Sequence, residues 1–372
     1  MNTNHLHNYL YFFFSVVVFL IGIVAPSNNF DLVFYTGSSF SLLHSDIDKV
    51  HSKTYGLLEK ELPKSRFESL TSGRYGEPNY KNSKVFAEQL SFYKSRIAYY
   101  SIPTLLSFFG VSIIDSFYIT SSLFSLISLL LLFLLSRRFI PSKYISFLPI
   151  LFGGIGFVGV SRLSTPDSLA CFGVILAFYT LLEYRRLHLL LLPILILLRR
   201  DLIILSVILL ALHYLKHKKV EYSFIFSLVF CIVIYYLSTY LSGHPGWSTV
   251  FSHTFNDRIL YPSSNPGQVS LKNYISTSIT RTKGLVNNTS FTLFLFSSFT
   301  SVSFLYYKSD DYMSILLKPS FASEVFISSI FYVILHFALF PAMWSRFFVS
   351  FYSITFVLFI ALFIEDGINI IK

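Results

Sequence analysis

Eight charged side chains lie at or near the ends of apolar segments of the chain. They are Asp31, Arg96, Arg162, Asp167, Arg199, Arg200, Asp201 and Arg346. Charged groups at membrane depth are costly and commonly mark a pathway or a functional site. The membrane orientation that the short basic loops predict puts all eight near the same membrane boundary. The set therefore predicts one polar site at that boundary.

Arginines and carboxylates at a water–lipid boundary suit a substrate that has a lipid tail and a phosphate head. The planar guanidinium fork matches the geometry of phosphate oxygens. A nearby carboxylate can take the proton of an acceptor hydroxyl while the phosphate leaves. This combination predicts the transfer of a sugar from a lipid-phosphate carrier.

Several of these residues also have a simpler structural explanation. Arg96 and Arg346 can extend from a helix end to the lipid headgroups. Asp167 and Asp201 each begin an apolar segment, where the helix dipole stabilises an acid. The adjacent pair Arg199–Arg200 is harder to explain this way, because two cations at an outer boundary oppose the usual charge distribution.

The composition predicts an all-α polytopic membrane protein that forms one membrane domain over residues 1–372. The chain is 53% hydrophobic and 13% charged, whereas soluble domains carry about 25% charged residues. Its net charge of +10 comes mainly from short loops between apolar segments, a pattern of membrane orientation and not of nucleic-acid binding. About ten spans are predicted, at Tyr9–Ala25, Ile113–Leu135, Ile145–Val160, Asp167–Leu182, Leu187–Leu198, Asp201–Leu215, Tyr222–Leu241, Phe291–Tyr307, Phe321–Pro341 and Phe347–Ile364.

Four short basic loops set the orientation of these spans. Their basic residues are Arg137, Arg138 and Lys143; Arg185 and Arg186; Lys216, Lys218 and Lys219; and Lys308 and Lys318. Placing all four loops in the cytoplasm also places both termini there. The segment Leu187–Leu215 decides the matter. As a hairpin of two short helices it keeps the Lys216–Lys219 cluster inside and puts Arg199–Asp201 at the outer edge, whereas a single helix would bury those charges at mid-membrane.

Two long segments then face outward, residues 26–112 and residues 242–290. The first is mixed in charge, and apolar residues recur at helical spacing within Lys84–Tyr100, which predicts an amphipathic helix in the membrane interface. The second is rich in Gly, Pro, Ser and Asn and predicts a loop or lid. The glycines of Gly153–Gly156 lie in an apolar helix, where small residues allow helices to approach closely.

No His or Cys spacing typical of a metal site occurs in the sequence. A divalent cation held by Asp31 and partners is an open alternative. The two cysteines, Cys171 and Cys231, are far apart and inside apolar segments, so they predict no disulfide framework.

The layout resembles the GT-C superfamily of membrane glycosyltransferases. Asn29–Tyr35 resembles the family's first-loop acid followed by an aromatic residue, and Tyr93–Leu106 is similar to its juxtamembrane segment. Ser164–Ala170 resembles an outer turn with an acid before a helix. The segments around Arg199–Arg200 and Arg346 resemble later outer-edge arginine motifs.

The resemblance implies a role for each of these positions. Asp31 would be the general base or an acid that orients the acceptor, and Tyr35 would line the substrate site beside it. The arginines would hold a polyprenyl-phosphate sugar donor, and the turn-rich second segment would help to shape the acceptor site. Asp31 stands alone where many members have paired acids, so the resemblance does not settle whether a metal takes part.

Other functions fit parts of the same pattern. A surface-polysaccharide polymerase or ligase also combines many helices, a large outer loop and arginines. A lipid or oligosaccharide transporter is a second alternative, although such proteins often contain repeated halves and none is visible here. A membrane scaffold without catalytic activity is a third.

Overall fold

The computed structural model describes residues 3–285, 287–308 and 320–364. Within these ranges the regular secondary structure is helical and contains no β-strand, apart from one isolated parallel bridge between Ser27 and Leu163. The predicted all-α class is therefore confirmed. Lys318 and the side chain of Lys308, which form the fourth predicted basic loop, lie outside the described part.

Twenty α-helices cover most of the described chain, in this order: α1 (Thr3–Val24), α2 (Asp31–Leu43), α3 (Ile47–Glu61), α4 (Lys64–Thr71), α5 (Gly73–Lys81), α6 (Ser83–Leu90), α7 (Ile97–Ser107), α8 (Ile113–Ser136), α9 (Ser142–Ile145), α10 (Leu148–Phe152), α11 (Val158–Ser161), α12 (Asp167–Glu183), α13 (Arg185–Leu198), α14 (Ile203–His217), α15 (Tyr222–Ser242), α16 (Trp247–Phe255), α17 (Leu271–Leu285), α18 (Thr289–Lys308), α19 (Phe321–Leu339) and α20 (Val349–Phe363). A π-helical turn, Gly153–Phe157, joins α10 to α11, and short 3-10 turns cover Arg200–Leu202 and Ser345–Phe347.

Six helical segments of the described chain are long and apolar enough to cross a membrane. They are His5–Val24, Ile113–Ser136, Ser142–Ser161, Tyr222–Ser242, Thr289–Tyr307 and Phe321–Leu339. The other four predicted spans correspond to α12, α13, α14 and α20, which have 17, 14, 15 and 15 residues. A straight span needs about 20 residues, so the count of about ten stays a prediction.

The segment Leu187–Leu215 is a hairpin, as predicted. Helix α13 ends at Leu198, the backbone of Arg199 is extended, and α14 begins at Ile203. The Ser206 hydroxyl donates to the Leu192 carbonyl at 2.9 Å. Nearer the open end of the pair, Nη2 of Arg185 lies 3.3 Å from Nε2 of His213. These contacts run antiparallel, so Arg199–Asp201 and the Lys216–Lys219 cluster lie at opposite ends.

Residues 26–112 are mostly helical, and α2 to α7 lie within them. The single amphipathic helix predicted over Lys84–Tyr100 is wrong. Helix α6 ends at Leu90, and α7 starts at Ile97 after a turn. The hydroxyl of Ser91 donates to the Glu88 carbonyl at 2.7 Å, and such local bonds compete with continuation of a helix.

The second outer segment also contains regular structure that its composition did not predict. Helices α16 and α17 lie inside residues 242–290, and irregular chain covers the stretch between them. Glu88 on α6 fastens this stretch, because its carboxylate accepts the backbone N–H groups of Ser263 at 2.6 Å and Ser264 at 3.1 Å. The segment is therefore a pair of helices with a docked connection.

The predicted close approach at the glycine-rich turn is present. Gly156 has a φ of +148°, a region that L side chains rarely adopt. A Cβ atom at this position would lie 2.6 Å from Cγ2 of Val349 at the start of α20. The absence of a side chain thus lets α20 pack against the turn.

Candidate functional site

Five of the predicted charged residues form one continuous chain of ion pairs. Acids and arginines alternate in the order Asp31, Arg346, Asp167, Arg199 and Asp201. They come from α2, the 3-10 turn before α20, the start of α12 and the tip of the α13–α14 hairpin. The fold therefore gathers residues that are more than 300 positions apart in the sequence.

Asp31 is the first residue of α2 and lies at one end of this chain. Nη1 of Arg346 donates to its Oδ2 atom at 3.2 Å, and Nδ2 of Asn29 donates to the same oxygen at 3.1 Å. The Tyr93 hydroxyl donates to Oδ1 at 3.1 Å. The Asp31 side chain remains 24% exposed, in contrast to 3% for Asp167. Asp31 is thus the more accessible of these two carboxylates.

Asp167 and Arg199 form the buried centre of the chain. Nη1 of Arg199 donates to Oδ1 of Asp167 at 3.2 Å, and both side chains are at most 5% exposed. Oδ2 of Asp167 accepts the Thr165 hydroxyl at 2.7 Å and lies 3.5 Å from Nε of Arg346. A buried charge is tolerated only when it is paired and hydrogen-bonded, so the burial of each of these two charges depends on the other.

Asp201 closes the chain at its other end. Nε and Nη2 of Arg199 donate to its two oxygens at 3.1 and 2.5 Å, a bidentate arrangement. The Tyr332 hydroxyl also donates to Oδ2, at 2.7 Å, and Nε2 of His336 lies 3.4 Å away. Groups from the hairpin tip and from α19 therefore hold this carboxylate from two sides.

Sequence reasoning missed Tyr332 and His336, which reach Asp201 from α19. A signal was present, because an ionisable residue inside an apolar helix commonly faces a polar interior. Tyr93 and Asn29 were parts of predicted motifs, but no role toward Asp31 was assigned to them. The pairing of these residues required the tertiary structure.

Arg96 and Arg200 differ from Arg199 and Arg346 because they lack acidic partners. No carboxylate of the described residues lies within salt-bridge distance of either guanidinium. Nη1 of Arg96 donates to the Phe92 carbonyl at 2.8 Å. Arg200 stacks over the Tyr235 ring at 4.9 Å, and its Nε and Nη1 atoms are buried without a hydrogen-bond partner in the described chain.

These two arginines lie close enough to interact electrostatically. Burial lowers the pKa of Arg200, and the charge of Arg96 acts in the same direction. Asp31 acts electrostatically on Arg96, and Asp201 acts on Arg200, but neither acid forms an ion pair with that arginine. Guanidinium groups without an ion-pair partner can bind an anion such as a phosphate.

His244 adds a neutral donor beside this pair. Burial lowers its pKa to about 3, and Arg200 and Arg96 contribute to the shift, so the ring is uncharged at neutral pH. Its Nδ1 atom accepts the Gly246 backbone N–H at 3.1 Å, which places the ring proton on Nε2. The ring packs edge-on against Phe92, the residue that also binds Arg96.

Two predicted site residues take other places. Arg162 is not part of the ion-pair chain, because its Nε donates to the Ala25 carbonyl at 2.5 Å, just beyond the end of α1. A cation is favourable there, since the carbonyl end of a helix is negative. Tyr35 is buried beneath Asp31, and its ring contacts Tyr93 at 5.1 Å. It therefore supports the site from below.

The opposite end of the helices carries the basic clusters. The ammonium group of Lys216, near the end of α14, forms an ion pair with Glu324 in the first turn of α19. His336, twelve residues later on α19, binds Asp201 just before α14. At 1.5 Å per helical residue, these two contacts are about 18 Å apart. The ion-pair chain and the Lys216–Lys219 cluster therefore lie at different ends of the same helices.

A divalent cation held by Asp31 and partners stays an open alternative. A shared metal between Asp31 and Asp167 would need the position that the Arg346 guanidinium already takes. No group of three or more His, Cys, Asp or Glu side chains is arranged for a metal within residues 3–285, 287–308 and 320–364. The charges of these acids are instead balanced by arginines.

No protein-family model matches the chain, and searches of curated proteins and of solved structures also give no match. The GT-C resemblance therefore rests on the residues and layout given above and stays a prediction.

Proposed function

We propose that this protein is a membrane glycosyltransferase that moves a sugar from a polyprenyl-phosphate donor to a glycan, lipid or protein acceptor. The observation that carries the proposal is the division of the arginines into two groups. Arg199 and Arg346 are paired with acids, whereas Arg96 and Arg200 form no ion pair within the described residues, and Nε and Nη1 of Arg200 have no hydrogen-bond partner there. An accessible carboxylate and an anion site in one place are what such a transfer requires.

Asp31 is proposed as the general base. Its Oδ1 atom accepts a single hydrogen bond, from Tyr93, and retains capacity for a proton. Asp167 is buried, and both oxygens of the more exposed Asp201 accept hydrogen bonds from Arg199, so neither acid has an oxygen as free as Oδ1 of Asp31. Arg346 forms ion pairs with both Asp31 and Asp167. It contacts Oδ2 of Asp31 and so orients this side chain, while Oδ1 remains able to accept a proton.

The proposed step forms one bond and breaks one bond. The acceptor hydroxyl oxygen attacks the anomeric carbon of the donor sugar and transfers its proton to Asp31. The bond between that carbon and the phosphate oxygen breaks, and polyprenyl phosphate leaves with the bonding electron pair. Arg96 and Arg200 stabilise the charge that develops on the phosphate, and Nε2–H of His244 donates a hydrogen bond to it.

We also propose a location for this site, the outer face of the cytoplasmic membrane, with both termini in the cytoplasm. The separation of the ion-pair chain from the Lys216–Lys219 cluster supports this orientation, because basic loops stay inside. Cysteines introduced at Asn265 and Lys218 test it. A membrane-impermeant maleimide should label Asn265→Cys in intact cells and Lys218→Cys only after permeabilisation. Labelling of both positions in intact cells would refute the orientation.

Asp31→Asn tests the catalytic proposal. Membranes supplied with defined polyprenyl-phosphate sugars should form product with the wild type and lose it with this variant, because the amide cannot accept the proton. Asp115→Asn is the matched control, since Asp115 is an exposed acid in the first turn of α8. Normal product formation by Asp31→Asn at equal expression would remove Asp31 from the catalytic role.

A further inference from the structure

Helix α17 has an unusual surface for a helix of a folded protein. It contains no buried residue, and Leu271, Ile275 and Ile279 are 73%, 47% and 54% exposed. These residues are four positions apart, so they form one apolar stripe along the helix. A stripe of this kind is costly in water and indicates a partner.

The opposite side of α17 already has a partner in the protein. The Tyr274 ring packs against Phe251 at 5.6 Å, and the Arg281 guanidinium lies over Phe255 at 5.3 Å. This side also covers a cleft of about 520 Å³, whose walls include Thr277, Thr280, Arg281, Asn288 and Trp344. Ile275 and Ile279 therefore face away from the protein. Leu271 borders a second cleft beside Trp247 and Leu339 but is also largely exposed.

Two contacts, one from α17 and one from the neighbouring α16, set the height of these helices relative to the membrane. The Tyr274 hydroxyl donates to the Ala338 carbonyl, and Nε1 of Trp247 donates to the Leu339 carbonyl at 2.7 Å. Both carbonyls lie at the end of α19, one of the helices long enough to cross a membrane. The end of a span coincides with the boundary between hydrocarbon and headgroups, where tryptophan is enriched.

The charges of α17 fit the same boundary. The helix has no acidic residue and carries Lys272, Arg281 and Lys283. At about 100° per residue, both lysines lie beside the apolar stripe, whereas Arg281 points to the cleft. Lysines that flank an apolar stripe extend their ammonium groups to phosphate headgroups.

We propose that α17 lies in the lipid surface, with Leu271, Ile275 and Ile279 inserted among the acyl chains and Lys272 and Lys283 at headgroup level. The partner of this surface is the bilayer itself, independently of which reaction the protein performs. The membrane would then hold the helix that covers the cleft next to Trp344. The Trp344 ring lies 5.2 Å from the Arg346 guanidinium, so lipid contact positions a cover beside the ion-pair chain.

Nitroxide labels at two positions of α17 test this proposal. The full chain is reconstituted in nanodiscs of phosphatidylglycerol, with Cys171 and Cys231 replaced by alanine and one new cysteine at Ile275 or Thr280. Thr280 is the matched control, because it is also exposed but lines the cleft. The label at Ile275 should be relaxed more by oxygen, which concentrates in lipid, and the label at Thr280 more by a water-soluble nickel chelate.

Two results would overturn the proposal. Equal access of the nickel chelate to both labels would place the stripe in water. Low access of both relaxing agents to the label at Ile275 would mean that protein, such as a second copy of the chain, covers the stripe. Nanodiscs of phosphatidylcholine test the lysines, and an unchanged depth of the label at Ile275 there would refute their role at anionic headgroups.

Discussion

Adjacent arginines at the tip of the α13–α14 hairpin should respond in opposite ways to the same substitution. Arg199→Gln should destabilise the protein strongly, whereas Arg200→Gln should leave its stability nearly unchanged. Neither variant should form product. Arg199→Gln should fail because the protein is destabilised, and Arg200→Gln because the proposed anion site loses a guanidinium. Position, residue type and substitution are matched, so the difference isolates the presence of acidic partners.

The expected cost of Arg199→Gln follows from the interactions that it removes. Arg199 is 5% exposed and donates to Asp167 at 3.2 Å and to Asp201 at 3.1 and 2.5 Å. Its guanidinium also lies 4.2 Å from the centre of the Phe347 ring. Removing one partner of a buried ion pair costs about 3–5 kcal/mol, because the remaining charge stays buried and unpaired.

The expected cost of Arg200→Gln is much smaller. The substitution removes the stacking of the guanidinium over the Tyr235 ring, and a cation–π interaction contributes about 0.5–1 kcal/mol at a partly exposed site. Relief of the buried, unpartnered Nε and Nη1 atoms acts in the opposite direction. The two effects nearly cancel, so we expect the free energy of unfolding to change by less than about 1 kcal/mol.

Unfolding in mixed micelles of increasing SDS content measures both variants on one scale. The double variant Arg199→Gln/Asp201→Asn is a further control, and it should recover part of the stability because one uncompensated charge is removed. Equal destabilisation by Arg199→Gln and Arg200→Gln would refute the division of the arginines. Full product formation by a stable Arg200→Gln protein would refute the anion site.

The other predictions concern packing, pH and the donor. Gly156→Ala should destabilise the protein by about 1–3 kcal/mol, because the new Cβ would meet Val349. Gly154 has open space around it, so Gly154→Ala should leave the stability unchanged. Equal denaturation curves for the two variants would contradict this. Burial raises the pKa of Glu88, but hydrogen bonds from Ser264 and Ser263 outweigh it and lower that pKa below 4.5, so this docking is complete above pH 4.5 and weakens as pH falls through the lowered value. Glu88→Gln should therefore speed hydrogen exchange in the connection between α16 and α17 at pH 7, and the difference from wild type should shrink in acid. Sugar donors linked through one phosphate should be used, and diphosphate-linked donors should not.

Much of the fold follows from hydropathy and charge alone. Every predicted apolar segment is helical, although Ile145–Val160 is interrupted at Gly156. The Leu187–Leu215 hairpin follows from the need to keep Arg199–Asp201 out of the hydrocarbon. Helix α17 was not predicted, because its stripe of three apolar residues lies among Ser, Thr and Asn, which resemble a loop in composition. The break between α6 and α7 at Ser91 was not predicted, because apolar residues continue at helical spacing on both sides of it.

Five of the eight charges that the sequence grouped form the ion-pair chain, but the sequence did not predict how they pair. Their predicted place at the same membrane boundary was enough to group Asp31, Asp167, Asp201, Arg199 and Arg346. The order of the ion-pair chain depends on the directions in which four separate elements meet, and no local pattern contains that information. Arg162 shows the limit of the argument, since it lies at the same end and binds a helix terminus instead.

The charge of the site bears on which donor it can hold. The ion-pair chain, Arg96 and Arg200 together contain three carboxylates and four guanidiniums. These seven groups carry one net positive charge, to which the neutral His244 adds nothing. A sugar linked to a polyprenyl chain through one phosphate carries one negative charge and neutralises the site. During transfer the leaving phosphate gains a second negative charge, and Asp31 becomes neutral by taking the proton. The sum stays at zero throughout, which is favourable where water is scarce. A diphosphate-linked donor would leave uncompensated negative charge at every stage, so the same residues argue against it.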